Sequence, residues 1–180
     1  MIDDQYRYIY KVISDHARNK YFVIFQLENS NNPKIWTFYL TTETGVLIGS
    51  ALGMTHQFGV VRVAELKNVN IRSKYRGLAL CQPTINFIFQ ILFGTEVIDY
   101  LWIHSNAEKL SVKCYLAAGL HLGLHVAFSN QFYQENPILN PSAFQDMNYF
   151  GTIEQCFYYG LQRKETNGHM IFHREDIPYF

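Results

Sequence analysis

This chain has little of what marks the more specialised protein classes. Its cysteines are few, Cys81, Cys114 and Cys156, an odd number at no metal-ligand spacing. Neither a disulfide framework nor a zinc site is expected from them, and a reduced, intracellular setting is. Neither sign of charge predominates: 15 Lys and Arg balance 15 Asp and Glu, which leaves no basic footprint for nucleic acid. No acidic cluster offers itself to a basic protein tail. No secretory leader is legible in MIDDQYRYIYKVI, which is acidic and polar before it turns apolar. Asn, Gln or Gly interrupts the longest apolar runs before they reach bilayer length. The expected setting is therefore the cytoplasm, with no membrane partner. Repeats, linkers and low-complexity tracts are missing as well, and the 180 residues read as one domain, 1–180.

What is present is material for a packed core. Hydrophobic residues make up 48% of the chain against 17% charged, a ratio that excludes disorder. The 14 Phe, 13 Tyr and 2 Trp are read first as thick aromatic packing, with a substrate pocket as the alternative. YFVIFQLE, KIWTFYLT, VLIGSALG and VVRVAELKNVNI are rich in β-branched and aromatic residues, and NSNNP, TTETG and THQFG between them carry turn chemistry. Short connections make these strands an antiparallel meander. A helix at 83–94, a strand at 97–104 and a second helix near 107–118 follow. The stretch 126–168 is a long excursion with a candidate helix at Gly151–Leu161, and GHMIFHR at 168–174 is a closing strand.

Residues 60–94 hold the most information. VVRVAELKNVNI, RSKY, RGLALC and QPTINFIFQILF read as a strand, a basic turn, a tight small-residue loop and a buried helix. A strand feeding a loop into a helix start makes a site for a phosphorylated ligand. The first N–H groups of a helix have no partner within it, and the aligned peptide dipoles favour an anion there. Pro83 suits the first turn, where its missing N–H costs nothing. Ala79 and Cys81 are small enough to let an anion approach the loop backbone, and Arg76 offers charge-assisted hydrogen bonds to phosphate oxygens. Plain packing is the competing account of the same turn.

Two motifs in order carry a family resemblance. The loop R-G-L-A-L-C (Arg76, Gly77, Leu78, Ala79, Leu80, Cys81) is similar to the Q/R-x-x-G-x-G/A signature of the GNAT superfamily of acetyl-CoA-dependent N-acetyltransferases. S-x-x-x-Y-x-x-x-G-L (Ser111, Tyr115, Gly119, Leu120) resembles that family's A-x-x-x-Y-x-x-x-G-F. The resemblance covers roughly residues 35–125. It implies an α/β fold: a mixed, largely antiparallel twisted sheet with helices on both faces and a cofactor cleft between splayed central strands. It also implies acetyl-CoA as cosubstrate, no metal, and direct attack by a primary amine within a ternary complex. Arg76–Cys81 would hold the cofactor's phosphates. The strand end Val69, Asn70 and Ile71 would pair by its backbone with the pantetheine arm, one N–H polarising the thioester carbonyl; Val69 and Ile71 as plain core residues are the alternative. Three departures are visible. Ala79 stands where the family has Gly, and Cys81 where it ends on a small residue; an Ala held left-handed is strained, so a slightly reshaped loop is expected. The family's Asn ahead of the second helix falls at Glu108, and the nearest Asn is Asn106, two residues early. The two helices that normally precede the second strand have no room ahead of KIWTFYLT, so the acceptor wall is expected from 126–168.

The chemistry follows from the same alignment. An alkyl amine is mostly protonated at neutral pH, so a base near the point of attack helps. The resemblance implies a carboxylate on the strand 60–71, and Glu65 is at the matching position. A strand-edge Glu facing solvent, or paired with Arg62 or Lys67, is the alternative. Tyr115 matches the family's proton donor to the departing thiolate, and a phenol is protonated at neutral pH; a Tyr packed on the sheet is the alternative. His104, closing its strand, and His56, taken to lie in a turn, are reserve bases. His121 and His125, four apart, are read as structural or exposed. The three cysteines are read as small, mostly buried side chains. The expected activity is N-acetylation of a small-metabolite amine such as an amino sugar, since balanced charge and an aromatic C-terminal half favour it over a basic tail. An altered acyl-CoA-binding or interaction module, and an acetyltransferase acting on a protein amine, are the alternatives. A homodimer, or a place as one domain of a larger protein, remains open.

Overall fold

The computed structural model describes residues 6–28, 33–105, 109–129, 149–154 and 168–174. Five strands, β1 (Tyr6–Ser14), β2 (Lys20–Glu28), β3 (Lys34–Thr42), β4 (Leu47–Phe58) and β5 (Val61–Ile71), run as an antiparallel meander. A 3-10 turn at Ser73–Tyr75 and a loop lead into α1 (Cys81–Gln90), which passes into a π-helical turn (Ile91–Thr95) and returns to β6 (Tyr100–Ser105). β6 lies parallel to β5, and a parallel pair needs such a crossover. Then come α2 (Lys109–His121), β7 (His125–Ser129), β8 (Tyr149–Thr152) and β9 (Gly168–His173). All described strands join one sheet in the order β1-β2-β3-β4-β5-β6-β9-β7-β8. The fold is α/β with a mixed, largely antiparallel sheet, as the sequence leads one to expect.

Period-two burial builds the core. Tyr21, Val23, Phe25 and Leu27 of β2 are buried and alternate with half-buried residues; Trp36, Phe38 and Leu40 do the same on β3. Ile85, Ile88 and Phe89 of α1 pack on them, and α2 adds Tyr115, Leu116 and Ala118 to the same cluster. Among the described residues, both helices therefore lie on one face of the sheet, where the expectation had helices on both. The other face has its own buried cluster of Val63, Tyr100, Trp102, Ala127 and Ile171 on the central strands. Toward β1 that face opens, leaving Tyr8 and Tyr10 exposed.

β1 is an addition to the strands expected from the sequence. Its turn into β2 is held by the buried carboxylate of Asp15, which accepts from the amides of Ala17 and Asn19 and from the Tyr21 hydroxyl, each at 2.9 Å. Desolvation pushes that carboxyl upward, but hydrogen bonds from Tyr21, Asn19 and Ala17 together outweigh it and hold the group below its ordinary value. β4 runs on to Phe58, so THQFG is strand up to its last residue; the reversal needs only Gly59 and Val60, with Gly59 at φ +60°. β7 and β8 lie within the excursion 126–168, which was expected to hold a helix at Gly151–Leu161. Gly151 and Thr152 belong to β8, a helical turn begins at 153–154, and residues 155–161 lie outside the described residues.

Gly119 is where α2 comes closest to its neighbours: a Cβ there would lie 2.6 Å from Ile153 Cδ1 and 2.8 Å from Phe172 Cε1. Gly119→Ala is expected to lower the unfolding free energy by about 1–3 kcal/mol through overpacking, read by urea denaturation. Gly94→Ala, where a Cβ meets nothing within 4 Å, should be neutral or slightly stabilising.

Candidate functional site

β4 and β5 pair Leu52 with Lys67, then Ser50 with Asn70. Between these registers one residue of β4, Ala51, faces two of β5, Asn68 and Val69, which is a β-bulge. The bulge reverses the phase of the strand. Ahead of it Ala64 and Leu66 belong to the helix-side core; beyond it Val69 and Ile71 pack against that same core. Close to the same level the parallel ladder stops. β5 and β6 pair from Val63 opposite Tyr100 to Leu66 opposite Ile103. From Lys67 onward the edge of β5 turned toward β6 has no strand partner among the described residues.

The loop after β5 turns through left-handed backbone. Gly77 at φ +78° and Ala79 at φ +59° are left-handed, and Leu80, the N-cap of α1, is right-handed at φ −85°, ψ −19°. Such alternation swings successive N–H groups to one side and makes an anion-binding concavity. No side chain caps α1. Among the described residues no backbone carbonyl takes the amides of Ala79, Leu80, Cys81 or Gln82. Ala79 thus keeps the left-handed geometry that a Gly would adopt freely, at a cost of about 1–2 kcal/mol. Arg76 clasps the loop to the strand: its Nε donates to the Ile71 carbonyl at 2.8 Å and a terminal nitrogen reaches Asn70 Oδ1 at 3.5 Å, with the side chain exposed. The β1–β2 turn braces the loop, the His16 amide donating to the Leu78 carbonyl at 3.4 Å.

Beneath the start of α1 lies a small recess of about 20 Å³, partly open to solvent. Phe38, Leu40 and Ala51 line it from the sheet, Ile85 and Ile88 from the helix, and Val69, Asn70, Ile71 and Cys81 border it. Thr84 also lines it; the residue is 7% exposed and its Oγ1 has no hydrogen-bond partner.

Tyr115 is 4% exposed and stacks on Phe89 of α1, with 6.4 Å between ring centroids. Burial, then the nearby thiols of Cys81 and Cys114, push its phenol above the ordinary value, so it stays protonated at neutral pH. The Cys81 thiol is raised by its hydrogen bond with Cys114 and then by burial, which leaves no thiolate nucleophile at that position. Gln82 ties the helices together, its Nε2 donating to the Cys114 carbonyl at 3.2 Å.

Glu65 sits on the opposite face. It shares a face with Val63 of the second cluster, two residues earlier, and lies between Met54 of β4 and Trp102 of β6, one pair before the last of the parallel ladder. It is 7% exposed, with Oε1 3.2 Å from Lys67 Nζ. Of its alternative partners Lys67 is therefore the one engaged, while the Arg62 amide donates to Asp99. The structure brings Val69–Ile71, Arg76–Cys81 and Tyr115 to the helix side and leaves Glu65 on the other.

The remaining candidates separate. His56 lies within β4 opposite Val63, stacked on Phe58, because the ladder runs past the expected turn. His121 ends α2 and His125 opens β7, so they share no element; His125 packs against His173 instead. His104 pairs through its backbone with His169. Asn106, Cys156 and most of the expected acceptor wall lie outside the described residues. Thr84 and the bulge were missed. The bulge did leave a trace in ELKNVNI, where the apolar phase slips from Leu66 to Val69. Among the described residues no helix is long and apolar enough to cross a membrane, and no three His, Cys, Asp or Glu are grouped to hold a metal.

No protein-family model matches the sequence, and no curated protein matches it. Solved structures do. A chimera of the Vibrio cholerae spermidine N-acetyltransferase SpeG with hSSAT is 13% identical, with a TM-score of 0.46, over 78% of this chain and 66% of that one. GCN5 of Tetrahymena is 9% identical, with a TM-score of 0.43, over 81% and 72%. NAA60 of Arabidopsis thaliana, solved with a bisubstrate analogue, is 12% identical, with a TM-score of 0.42, over 81% and 76%. This chain thus spans about two thirds of the length of the spermidine N-acetyltransferase chimera. At such scores the likeness assigns no residue a role.

Proposed function

We propose that this chain is an acetyl-CoA-dependent N-acetyltransferase of the GNAT kind, moving an acetyl group to the primary amine of a small metabolite. One observation carries this reading: at the end of a single strand, a ladder that stops after Leu66 meets a left-handed loop with free amides at a helix start. A strand edge with unpaired backbone takes an extended arm as an added strand. A helix start with unpaired amides takes a diphosphate. Coenzyme A joins those two chemistries in one molecule, and Arg76 stands beside both.

The parted strands then divide the labour. The amine approaches from the face that carries Glu65, which takes the proton the amine gives up. Its nitrogen attacks the thioester carbonyl carbon in the gap, a backbone N–H at Val69–Ile71 stabilising the developing oxyanion. The carbon–nitrogen bond forms, the carbon–sulfur bond breaks, and the thiolate departs on the helix side, where the Tyr115 phenol protonates it. An amino sugar fits the balanced charge and the aromatic-rich chain better than a basic protein tail does.

Calorimetry of the folded chain with coenzyme A should show micromolar-scale binding; its absence would sink the assignment. Arg76→Glu should weaken that binding by roughly tenfold or more, and Lys11→Glu on distant β1 hardly at all. Glu65→Gln should lower turnover at neutral pH by about a hundredfold, leave coenzyme A affinity intact and remove one ionisation from the pH–rate profile. An unchanged profile would transfer the base role elsewhere. Tyr115→Phe keeps the ring stacked on Phe89, so coenzyme A should still bind while turnover drops by roughly tenfold or more. Equal turnover in mutant and wild type would mean that solvent protonates the thiolate.

A further inference from the structure

The thiols of Cys81 and Cys114 take no part in the chemistry above, yet the fold brings them together from two helices. Cys81 is the first residue of α1 and Cys114 lies in α2. Their thiols are hydrogen-bonded to each other. Both are free and only half-buried, so a small reagent can reach them. The register of the helices here does not depend on sulfur. Gln82, next along α1, donates from Nε2 to the Cys114 carbonyl at 3.2 Å and to Asn86 Oδ1 at 2.8 Å. Sulfurs already within hydrogen-bond reach need only a short approach to the bonded distance of about 2.05 Å. The hydrogen bond from Cys81 holds the Cys114 thiol below its ordinary value, against burial, which raises it. The thiolate is the attacking species in disulfide exchange, and Cys114 has a second thiol beside it to complete the reaction. Position gives the pair a consequence. The Cys81 amide is one of the free amides at the start of α1, which no side chain caps, and Cys114 precedes Tyr115. With Gln82 holding the helices in register, the start of α1 takes up the approach of the sulfurs.

We propose that Cys81 and Cys114 form a modification site, a dithiol that small soluble disulfides convert into a Cys81–Cys114 disulfide, and that this cross-link weakens coenzyme A binding. The effect on coenzyme A rests on the acyl-CoA reading of the site; the disulfide itself does not. The Cys114 thiolate attacks one sulfur of the small disulfide, whose sulfur–sulfur bond breaks and whose other half leaves as a thiolate. Cys114 then no longer holds the Cys81 proton, and the start of α1 favours a Cys81 thiolate. That thiolate attacks the Cys114 sulfur and expels the second half. Two protein thiols are oxidised, one small disulfide is reduced to two thiols, and the two protein protons end on them.

Treatment of the folded full chain with oxidised glutathione, followed by intact mass and peptide mapping without reductant, tests the site. The product should be lighter by the pair of thiol hydrogens, carry no glutathione and link Cys81 to Cys114. It should melt roughly 5–10 °C higher, as expected of a cross-link closing so long a loop. Cys156→Ser should give the same product. Cys81→Ser should stop at a glutathione adduct on Cys114, and Cys114→Ser, or Cys114→Ala should the former not fold, should form no internal disulfide at Cys81. Calorimetry should show coenzyme A binding the oxidised chain roughly tenfold more weakly than the reduced one, with affinity restored by dithiothreitol and no effect of oxidant on the Cys114→Ser chain. Folded protein that gains only glutathione adducts, or no modification, would overturn the site. A Cys81–Cys114 disulfide with unchanged coenzyme A affinity would overturn its effect on the cofactor and leave the modification site standing. Reduced protein that binds no coenzyme A would overturn the acyl-CoA reading and that effect together, while the mass analysis still decides the disulfide.

Discussion

One extra residue in β5, accommodated opposite Ala51, does three things at once. It turns Val69 and Ile71 onto the face already used by Ala64 and Leu66. It bends the strand near the level at which its ladder with β6 ends, after Leu66. It also places the small side chain of Ala51 opposite the extra residue, in the recess lined with Phe38 and Ile85. A regular strand would have turned Asn70 rather than Val69 and Ile71 toward the core. Bulges increase local twist and terminate pairing, and here the described ladder with β6 ends close by.

The loop that follows is held in an unfavourable geometry by its surroundings. Ala79 in the left-handed region is strained, and free amides at an uncapped helix start are poorly satisfied. Arg76 anchors one end to the Ile71 carbonyl, and the β1–β2 turn supports the middle at Leu78. That turn is rigid because Asp15 gathers two amides and the Tyr21 hydroxyl on one carboxylate. A hairpin thus supports the loop from the side. Strain kept by such an arrangement persists only because its surroundings over-determine it, and under the proposed function an anion would supply the acceptors the amides lack.

Much of this was legible in the residues. The alternation in YFVIFQLE and KIWTFYLT fixes which side chains enter the core, and the order strand, small-residue loop, helix is found as expected, although the helix starts at Cys81, two residues before Pro83. The end of β4 was misjudged because THQFG resembles a turn, whereas a two-residue reversal at Gly59 and Val60 leaves His56 and Phe58 free to stack within the strand. β1 was overlooked because Arg7 and Lys11 interrupt its apolar pattern; Arg7 is in fact satisfied by buried Glu96 at 3.3 Å. Thr84 gave no signal, because a Thr in a helix reads as a surface or core residue until its neighbours are known. The placement of the two candidates was also illegible: Glu65 and Tyr115 come from a resemblance between motifs, and the motifs do not say that a sheet lies between them.

That separation decides how the parts can work together. Tyr115 is packed into the helix-side core against Phe89, beside Cys81 at the start of α1. Glu65 is packed against the other cluster, level with Trp102. Neither can reach the other through a continuous ladder. They share a space only where the ladder is absent, and it ends with Leu66–Ile103, the pair just beyond Glu65. A molecule lodged between β5 and β6 would present one side to each. The proposed base, the Glu65 carboxyl beside Lys67, and the proposed proton donor, the buried phenol of Tyr115, thus stand on opposite faces of one sheet and meet only through that gap.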